Sequence, residues 1–260
     1  MREIEMPSLR LFDAHCHLED PAFDDDRWEV IDRAVKAGVV GMVSSSLDSS
    51  DAEKALRLFL PTNVVYISLG LDPRDVDDEA EIKAVERLIL ENEKDIVAVG
   101  EVGMDYRIAK QESVRKRQEE VFRRFIRLAE EIDKPIVVHS LWAQRPVLRV
   151  LEDEGATRVV LHAFGGSQRD VKTAVERGWY VSIATNVTRS ANVQRVAEAT
   201  PVEYMVLESD SPVLSPDAKG RNEPANIVKS VKFLAKVKGM KPAELAEITT
   251  TNAMEVYGLR

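Results

Sequence analysis

The feature that most limits the fold is an alternation running the length of the chain, in which short β-branched apolar runs are each followed by a segment of helical periodicity. The runs are Leu9–His15, Val39–Ser45, Val64–Leu69, Ile96–Glu101, Pro135–His139, Arg158–His162, Tyr180–Ala184 and Tyr204–Glu208. Helical patterns occupy Asp24–Ala37, which stops at Gly38, then Asp51–Leu60, Glu79–Glu91, and a longest helix marked by Val114, Val121, Phe125, Leu128 and Ile132. Further ones cover Arg145–Glu152, Val171–Arg177 and Asn192–Ala199, and two terminal helices, Ala225–Val237 and Ala243–Tyr257, start behind Pro224 and Pro242.

Eight strands alternating with helices in 260 residues predict an α/β fold: a single-domain (β/α)8 TIM barrel over residues 1–260, not an open doubly wound sheet. No Gly-x-Gly-x-x-Gly follows the first strand, so no nucleotide cofactor is expected. With 44% hydrophobic residues the chain can build a large core, and no apolar run approaches the roughly 20 residues of a membrane span. The charged start Met1–Glu5 lacks the apolar segment of a secretory signal, and one cysteine allows neither an internal disulfide nor a Cys-rich zinc module. These features predict a cytoplasmic protein without membrane contact. A formal net charge of -9 argues against a chain that coats nucleic acid non-specifically. An enzyme meeting one phosphodiester at a metal centre needs few basic contacts.

In such barrels the active site lies at the C-terminal ends of the strands, so the residue closing each strand carries the information. The first strand ends in His15 and His17, the fourth in Glu101, the fifth in His139, the sixth in His162, and the eighth in Glu208 and Asp210. All four histidines of the chain are there. Strand alternation turns His15 and His17 to one face and Cys16 to the other, as a small buried hydrophobe.

Four imidazoles and two carboxylates are too many donors for one ion and suit two. The expected arrangement puts His15, His17 and Asp210 on one ion, His139 and His162 on the other, and Glu101 between them. A shared water becomes the nucleophile, and the free oxygen of Asp210 accepts its proton. Glu208, on the same face as Asp210, is read as orienting a ligand histidine, with substrate contact as the alternative. Each residue also has a plainer reading: His-x-His as two half-exposed strand histidines, Glu101 as a loop cap, His139 and His162 as hydrogen-bonded core histidines.

Taken in order, Phe12-Asp13-Ala14-His15-Cys16-His17-Leu18, Gly100-Glu101-Val102-Gly103-Met104-Asp105-Tyr106, Pro135–Ser140, His162–Ser167, Leu207–Pro212, Arg221–Pro224 and Asn252–Leu259 resemble the TatD family of metal-dependent hydrolases, within the wider amidohydrolase-like barrels. The resemblance implies a TIM-type barrel and metal-dependent phosphodiester hydrolysis on DNA, typically exonucleolytic from a 3′ end. It carries His15, His17, Glu101, His139, His162 and Asp210 over as metal ligands, and the reading of the rim carboxylates above makes Asp210 and Glu101 the expected catalytic residues. Two departures touch the substrate side. Asp72 stands where the family usually has the histidine of Gly-x-His-Pro, and Leu141 followed by Trp142 stands where an arginine is usual. Candidate compensating cations are Arg74, Arg107, Lys110, Arg145, Arg169, Arg189, Lys219 and Arg221, of which Arg221 matches a family motif and is the expected substrate contact. Trp142 and Tyr106 are candidates for stacking on a base or for core packing.

The favoured reading is a two-metal deoxyribonuclease holding two divalent ions (Mg²⁺, Mn²⁺ or Zn²⁺), with DNA as its partner and a monomer compatible with the sequence. The alternative keeps the metal site but hydrolyses an amide, lactone or aminoacyl ester, including deacylation of mischarged tRNA, and the missing rim histidine motivates it. A barrel that only binds a partner or stores metal is a third, and the complete donor set speaks against it.

Overall fold

Eight parallel strands pair in chain order in the computed structural model, which describes residues 9–259. They are β1 (Leu11–Cys16), β2 (Val39–Ser45), β3 (Val65–Leu69), β4 (Ala98–Gly103), β5 (Ile136–His139), β6 (Val159–Leu161), β7 (Tyr180–Ala184) and β8 (Met205–Glu208). The charged start Met1–Glu5 lies outside the described residues. Helices follow the strands: α1 (Arg27–Lys36), α2 (Ser49–Phe59), α3 (Glu79–Glu91), α4 (Glu112–Glu131), α5 (Gln144–Glu154), α6 (Gln168–Glu176) and α7 (Ala191–Ala199), with α8 (Ile227–Lys238) and α9 (Pro242–Val256) after β8. Side chains satisfy the free N–H groups at several helix starts: Asp48 caps α2, Asp78 caps α3, and Ser167 with Asp170 forms a capping box on α6. This is the (β/α)8 TIM barrel that the alternation predicts. No helix among the described residues is long and apolar enough to cross a membrane.

Two apolar layers hold it together. The larger lies between strands and helices and includes Leu11, Met42, Ile67, Val99, Val138, Phe122, Phe125 and Leu234. The smaller gathers Phe12, Ala14, Val43, Ala98, Val137, Val160 and Val206 from six strands around the barrel, together with Val256 and Tyr257 at the end of α9. Side chains from strands so placed meet only inside the barrel, so this cluster is its floor. Tyr257 Oη donates to the Ala14 carbonyl at 2.7 Å and pins the C-terminal segment there.

The seam between β8 and β1 is closed largely by a side chain. Buried Asp13 accepts from Ser209 N at 2.8 Å and Ser209 Oγ at 2.6 Å. Just beyond, Asp210 N donates to the His15 carbonyl at 3.0 Å and His17 N to the Ser211 carbonyl at 2.8 Å. The chain therefore brings the end of β8 against the end of β1, which sets Asp210 beside the histidine pair.

Candidate metal centre

Each donor reaches the rim by its own route. The register of β1 against β2 shifts between Asp13 and Cys16, and His17 lies one residue past the strand. The two imidazoles still converge, with His15 Nε2 and His17 Nε2 3.1 Å apart, but the irregularity and the seam bonds place them, not simple alternation. Cys16 points away into the core, its Sγ donating to the Val43 carbonyl at 3.3 Å. Glu101 rides on β4 between two glycines that the packing requires. A Cβ on Gly100 would come within 2.5 Å of the Val137 carbonyl oxygen, and one on Gly103 within 2.0 Å of that of His139.

The six predicted ligands meet. Glu101 Oε2 lies 3.1 Å from His15 Nε2 and 3.5 Å from His17 Nε2. Its other oxygen, Oε1, lies 2.6 Å from His139 Nδ1 and 3.6 Å from His162 Nε2. Asp210 Oδ1 lies 3.4 Å from His17 Nε2, 3.6 Å from His15 Nε2 and 3.8 Å from His162 Nε2. Three overlapping triads, His15–His162–Asp210, His15–His17–Glu101 and Glu101–His139–His162, each have their donor atoms within 4.8 Å of one another.

Surrounding groups fix which nitrogen three of the four rings present. His17 Nδ1 donates to the Ser45 carbonyl at 2.7 Å, turning Nε2 to the centre. His162 Nδ1 is 3.1 Å from Glu208 Oε2, while Glu208 Oε1 accepts from Ala163 N at 2.8 Å. That bond clamps the ring so that Nε2 faces inward, the orienting role expected of a buried carboxylate behind a ligand histidine. His139 presents Nδ1 and turns Nε2 toward Asp105 Oδ2 at 3.5 Å.

Six buried carboxyl groups surround the centre, Asp13, Glu19, Glu101, Asp105, Glu208 and Asp210, of which burial pushes Asp13 up to about 8 and so keeps it protonated near neutrality, and no lysine is buried among the described residues. Arg27, the one arginine buried among the described residues, spends its guanidinium on the carbonyls of Leu18, Glu19 and Asp20 and on Asp24. So much buried negative charge calls for cations. An imidazole and carboxylate donor set with clamped rings fits divalent metal ions.

Without such ions the histidines supply the positive charge. Burial disfavours a proton on His162, yet the charges of Glu208, Glu101 and Asp210 push its pKa up to about 10. Burial is likewise overcome at His139, where Asp105 and Glu101 raise it to about 9, and at His17, where Asp210 and Glu19 raise it well above the usual value. His15 goes the other way, lowered by burial and by the neighbouring His162. Burial would raise Glu101 and Asp210, but the imidazoles around them hold both below the usual carboxylate range. Metal binding must therefore displace protons from at least part of this cluster.

Two openings reach the centre. One, of about 470 Å³, runs over His139, His162 and Asp210 toward the loops after β6 and β7. The other, of about 430 Å³, includes Asp72, Arg74 and Arg107. Asp72 does not stand bare at its mouth: its carboxylate accepts from Arg74 Nε at 2.9 Å and Nη2 at 2.6 Å. Of the candidate cations, Arg74 and Arg107 line these openings. Arg221 is committed elsewhere. It donates to both carboxylate oxygens of Asp26 at 2.7 Å and to the Ala22 carbonyl at 2.6 Å, and it lies over the Phe23 ring. Trp142 is 63% exposed, with Lys110 Nζ 4.9 Å from its ring centre, whereas Tyr106 packs against the core under Arg115.

Asp13, Glu19, Asp105 and the Ser45 carbonyl support the site without having been singled out from the sequence. Asp13 and Asp105 lie inside the motifs that carry the ligands and could have been flagged there. Glu19 approaches His17 Nδ1 at 3.7 Å and has no comparable signal. A backbone carbonyl has none at all.

The family profile "TatD related DNase" matches residues 12–258. The chain is 37% identical to human deoxyribonuclease TATDN3 over 259 residues, covering 95% of this chain and 94% of that one. It is also 37% identical to an uncharacterised metal-dependent hydrolase of Methanocaldococcus jannaschii over 256 residues, covering 98% and 100%. In fold it resembles the crystal structure of a TatD homologue from Escherichia coli, with a TM-score of 0.89 at 22% identity over 96% of this chain and 99% of that one. The protein belongs to the TatD-related DNase family of metal-dependent hydrolases.

Proposed function

We propose that the protein is a two-metal phosphodiesterase that hydrolyses DNA from a strand end. The observation that carries this reading is the orientation of Glu101: one oxygen faces His15 and His17, the other faces His139 and His162. A carboxylate so placed joins two donor sets instead of completing one. His15, His17 and Asp210 would hold one divalent ion, and His139 and His162 the other. Ions held there supply the positive charge that polarises a phosphodiester and brings a water's pKa toward neutrality. The protein's own groups do the rest. Asp210 turns Oδ1 to the histidines and leaves Oδ2 to take the proton of the attacking water. Glu208 keeps His162 from rotating, and Arg107 and Arg74 at the openings are placed to meet backbone phosphate.

The test is cleavage of end-labelled single-stranded DNA with Mg²⁺, Mn²⁺ or Zn²⁺, alongside metal counting by mass spectrometry. Two ions per chain and loss of cleavage in folded Glu101→Ala and Asp210→Ala are expected. One ion per chain would remove the two-metal reading. Inertness toward every form of DNA, with turnover of amide, lactone or aminoacyl ester substrates, would move the activity to those bonds.

A further inference from the structure

The 470 Å³ opening has two chemically different ends. Its charged lining residues, Arg107, His139, His162 and Asp210, all belong to the metal centre or its mouth. The far end carries no charge. Val193 and Leu214 supply apolar wall there, continuous with Leu141 and with Val213, which also lines the other opening, and Gln144 and Asn186 supply carboxamides, while the Asn192 amide beside them is bonded to the Gly165 carbonyl at 3.2 Å and to Arg195 at 3.1 Å. Asn186 sits on the turn after β7, whose shape is held by its own carbonyl accepting from Arg189 N at 3.0 Å and Ser190 N at 2.8 Å. Its side-chain Oδ1 is buried and has no hydrogen-bond partner among the described residues. A buried acceptor of this kind is destabilising unless something supplies a donor. Gly165 holds open the space between the other two amides: a Cβ there would lie 3.3 Å from Gln144 Nε2 and 3.5 Å from Asn192 Nδ2.

We propose that this neutral end is a base-reading subsite, which takes the nucleobase of the nucleotide whose phosphate lies at the metal centre. The inference rests on the DNA-hydrolase reading above and adds the ligand's orientation. A nucleotide is charged at one end and planar, neutral and rich in paired donors and acceptors at the other, matching the cavity end for end. Carboxamides offer a donor beside an acceptor and so pair with a base edge, and the apolar walls accept its faces. Asn186 is the specificity-determining residue in this arrangement: its oxygen is sealed from solvent without a donor, and turning the carboxamide toward an entering base supplies one.

Calorimetric titration of the whole protein with Mn²⁺ supplied, using the deoxynucleoside 5′-monophosphates and abasic 2-deoxyribose 5-phosphate as probes, tests this directly. At least one monophosphate is expected to bind about tenfold tighter than the abasic sugar phosphate, equivalent to about 1.4 kcal/mol. Asn186→Leu should erase that advantage and leave the abasic affinity where it was. Gly165→Ala, whose extra methyl crowds the two other amides, should reduce it independently. Equal binding of the monophosphates and the abasic probe by the unsubstituted protein would overturn the proposal. So would an undiminished advantage in both variants once melting curves show them folded. Because the readout is binding, the two readings fail separately. DNA cleavage with no base-dependent binding removes the subsite and keeps the hydrolase, whereas base-dependent binding without DNA cleavage does the reverse.

Discussion

The two ends of this barrel are built from the same strands by opposite rules. At the floor, Phe12 stacks 6.0 Å from Tyr66 and 6.2 Å from Tyr257 among valines and alanines, and the buried Tyr257 hydroxyl has a partner. At the rim the interior positions hold carboxylates and imidazoles, and His15 Nδ1 is buried with no partner among the described residues. Backbone geometry divides the same way. Of the five non-glycine residues with left-handed φ among the described residues, four, Trp142 (59°), Ala163 (39°), Asp210 (52°) and Leu214 (47°), follow the C-terminal ends of β5, β6 and β8, against one, Asp133 (55°), in the turn between α4 and β5 at the opposite end. That conformation costs about 1–2 kcal/mol for a residue with a Cβ. The rim is thus a set of local costs that the floor and the helix layer offset, and it is the end where chemistry can be done.

The sharpest way to break this comparison is to substitute one residue at each end and read both properties. Glu101→Gln should cost on the order of 10³-fold or more in hydrolysis rate, since it weakens several kcal/mol of charge stabilisation. Its folded state should survive, because the floor is untouched. Phe12→Ala should do the opposite, losing about 3–5 kcal/mol of stability by leaving a cavity while activity per folded molecule is kept. Denaturant melts and initial rates on the two variants settle it. A Phe12→Ala protein that is stable but inactive would show that floor and rim are not separable.

A smaller effect is expected behind the ligands. Glu208→Gln keeps the shape but cannot accept from both His162 Nδ1 and Ala163 N as the carboxylate does. Metal affinity should fall by about 10–100-fold, the usual consequence of losing a ligand's orienting group. Competition against a chelator measures it, and unchanged affinity would reduce Glu208 to a packing role.

Acidity sharpens the contrast further, because burial pushes the floor's Tyr257 hydroxyl well above its ordinary value, whereas the rim histidines titrate lower. In metal-free protein His139 and His162 have pKa values raised from 6.5 to about 9 and about 10. A proton bound more tightly in the folded state adds stability that is complete below pH 6.5 and lost as pH rises through 9 and 10. The melting temperature of metal-free protein should therefore fall between neutrality and pH 10, by about 2–4 °C for each kcal/mol lost in a chain of this size. Metal-loaded protein, whose histidines have already released those protons, should show a flatter profile. A flat profile in both forms would mean that the histidines are neutral at the start.

How much of this could be read from residues alone follows the same division. Where apolar pattern decides, the reading was sharp: the limits of β2 (Val39–Ser45), α3 (Glu79–Glu91) and β7 (Tyr180–Ala184) coincide with the expected ones. At β4 they do not. Ile96 and Val97 look like strand, but Ile96 N donates to the Asn92 carbonyl at 3.1 Å and still belongs to the turn after α3. Gly103 lies past the expected end of the strand, yet it is a strand residue, and β5 passes too close to it for a Cβ. The donor cluster is legible because histidine is scarce here and each one lies at the end of a strand. Arg221 shows the limit. A motif pointed to substrate, while its bidentate partner Asp26 is 195 residues away, and no local pattern reports such a pairing.

The smallest expected effect lies at the rim's outer edge, where Arg74 is 64% exposed and Asp72 is 15% exposed in their side chains. An ion pair this open to water contributes about 0–1 kcal/mol, so neither Arg74→Ala nor Asp72→Ala should shift stability beyond that. Their effects on DNA should nevertheless have opposite signs. Removing Arg74 leaves the Asp72 carboxylate facing incoming phosphate and raises KM. Removing Asp72 releases the Arg74 guanidinium to meet that phosphate and lowers KM. Both changes should shrink in high salt, which screens exposed charges over about 3 Å at 1 M, and kcat should stay put because neither residue touches the ligand histidines. Measured KM values moving in the same direction would mean that the pair serves the fold of its loop and not the substrate, and would extend the floor's structural logic to the edge of the site.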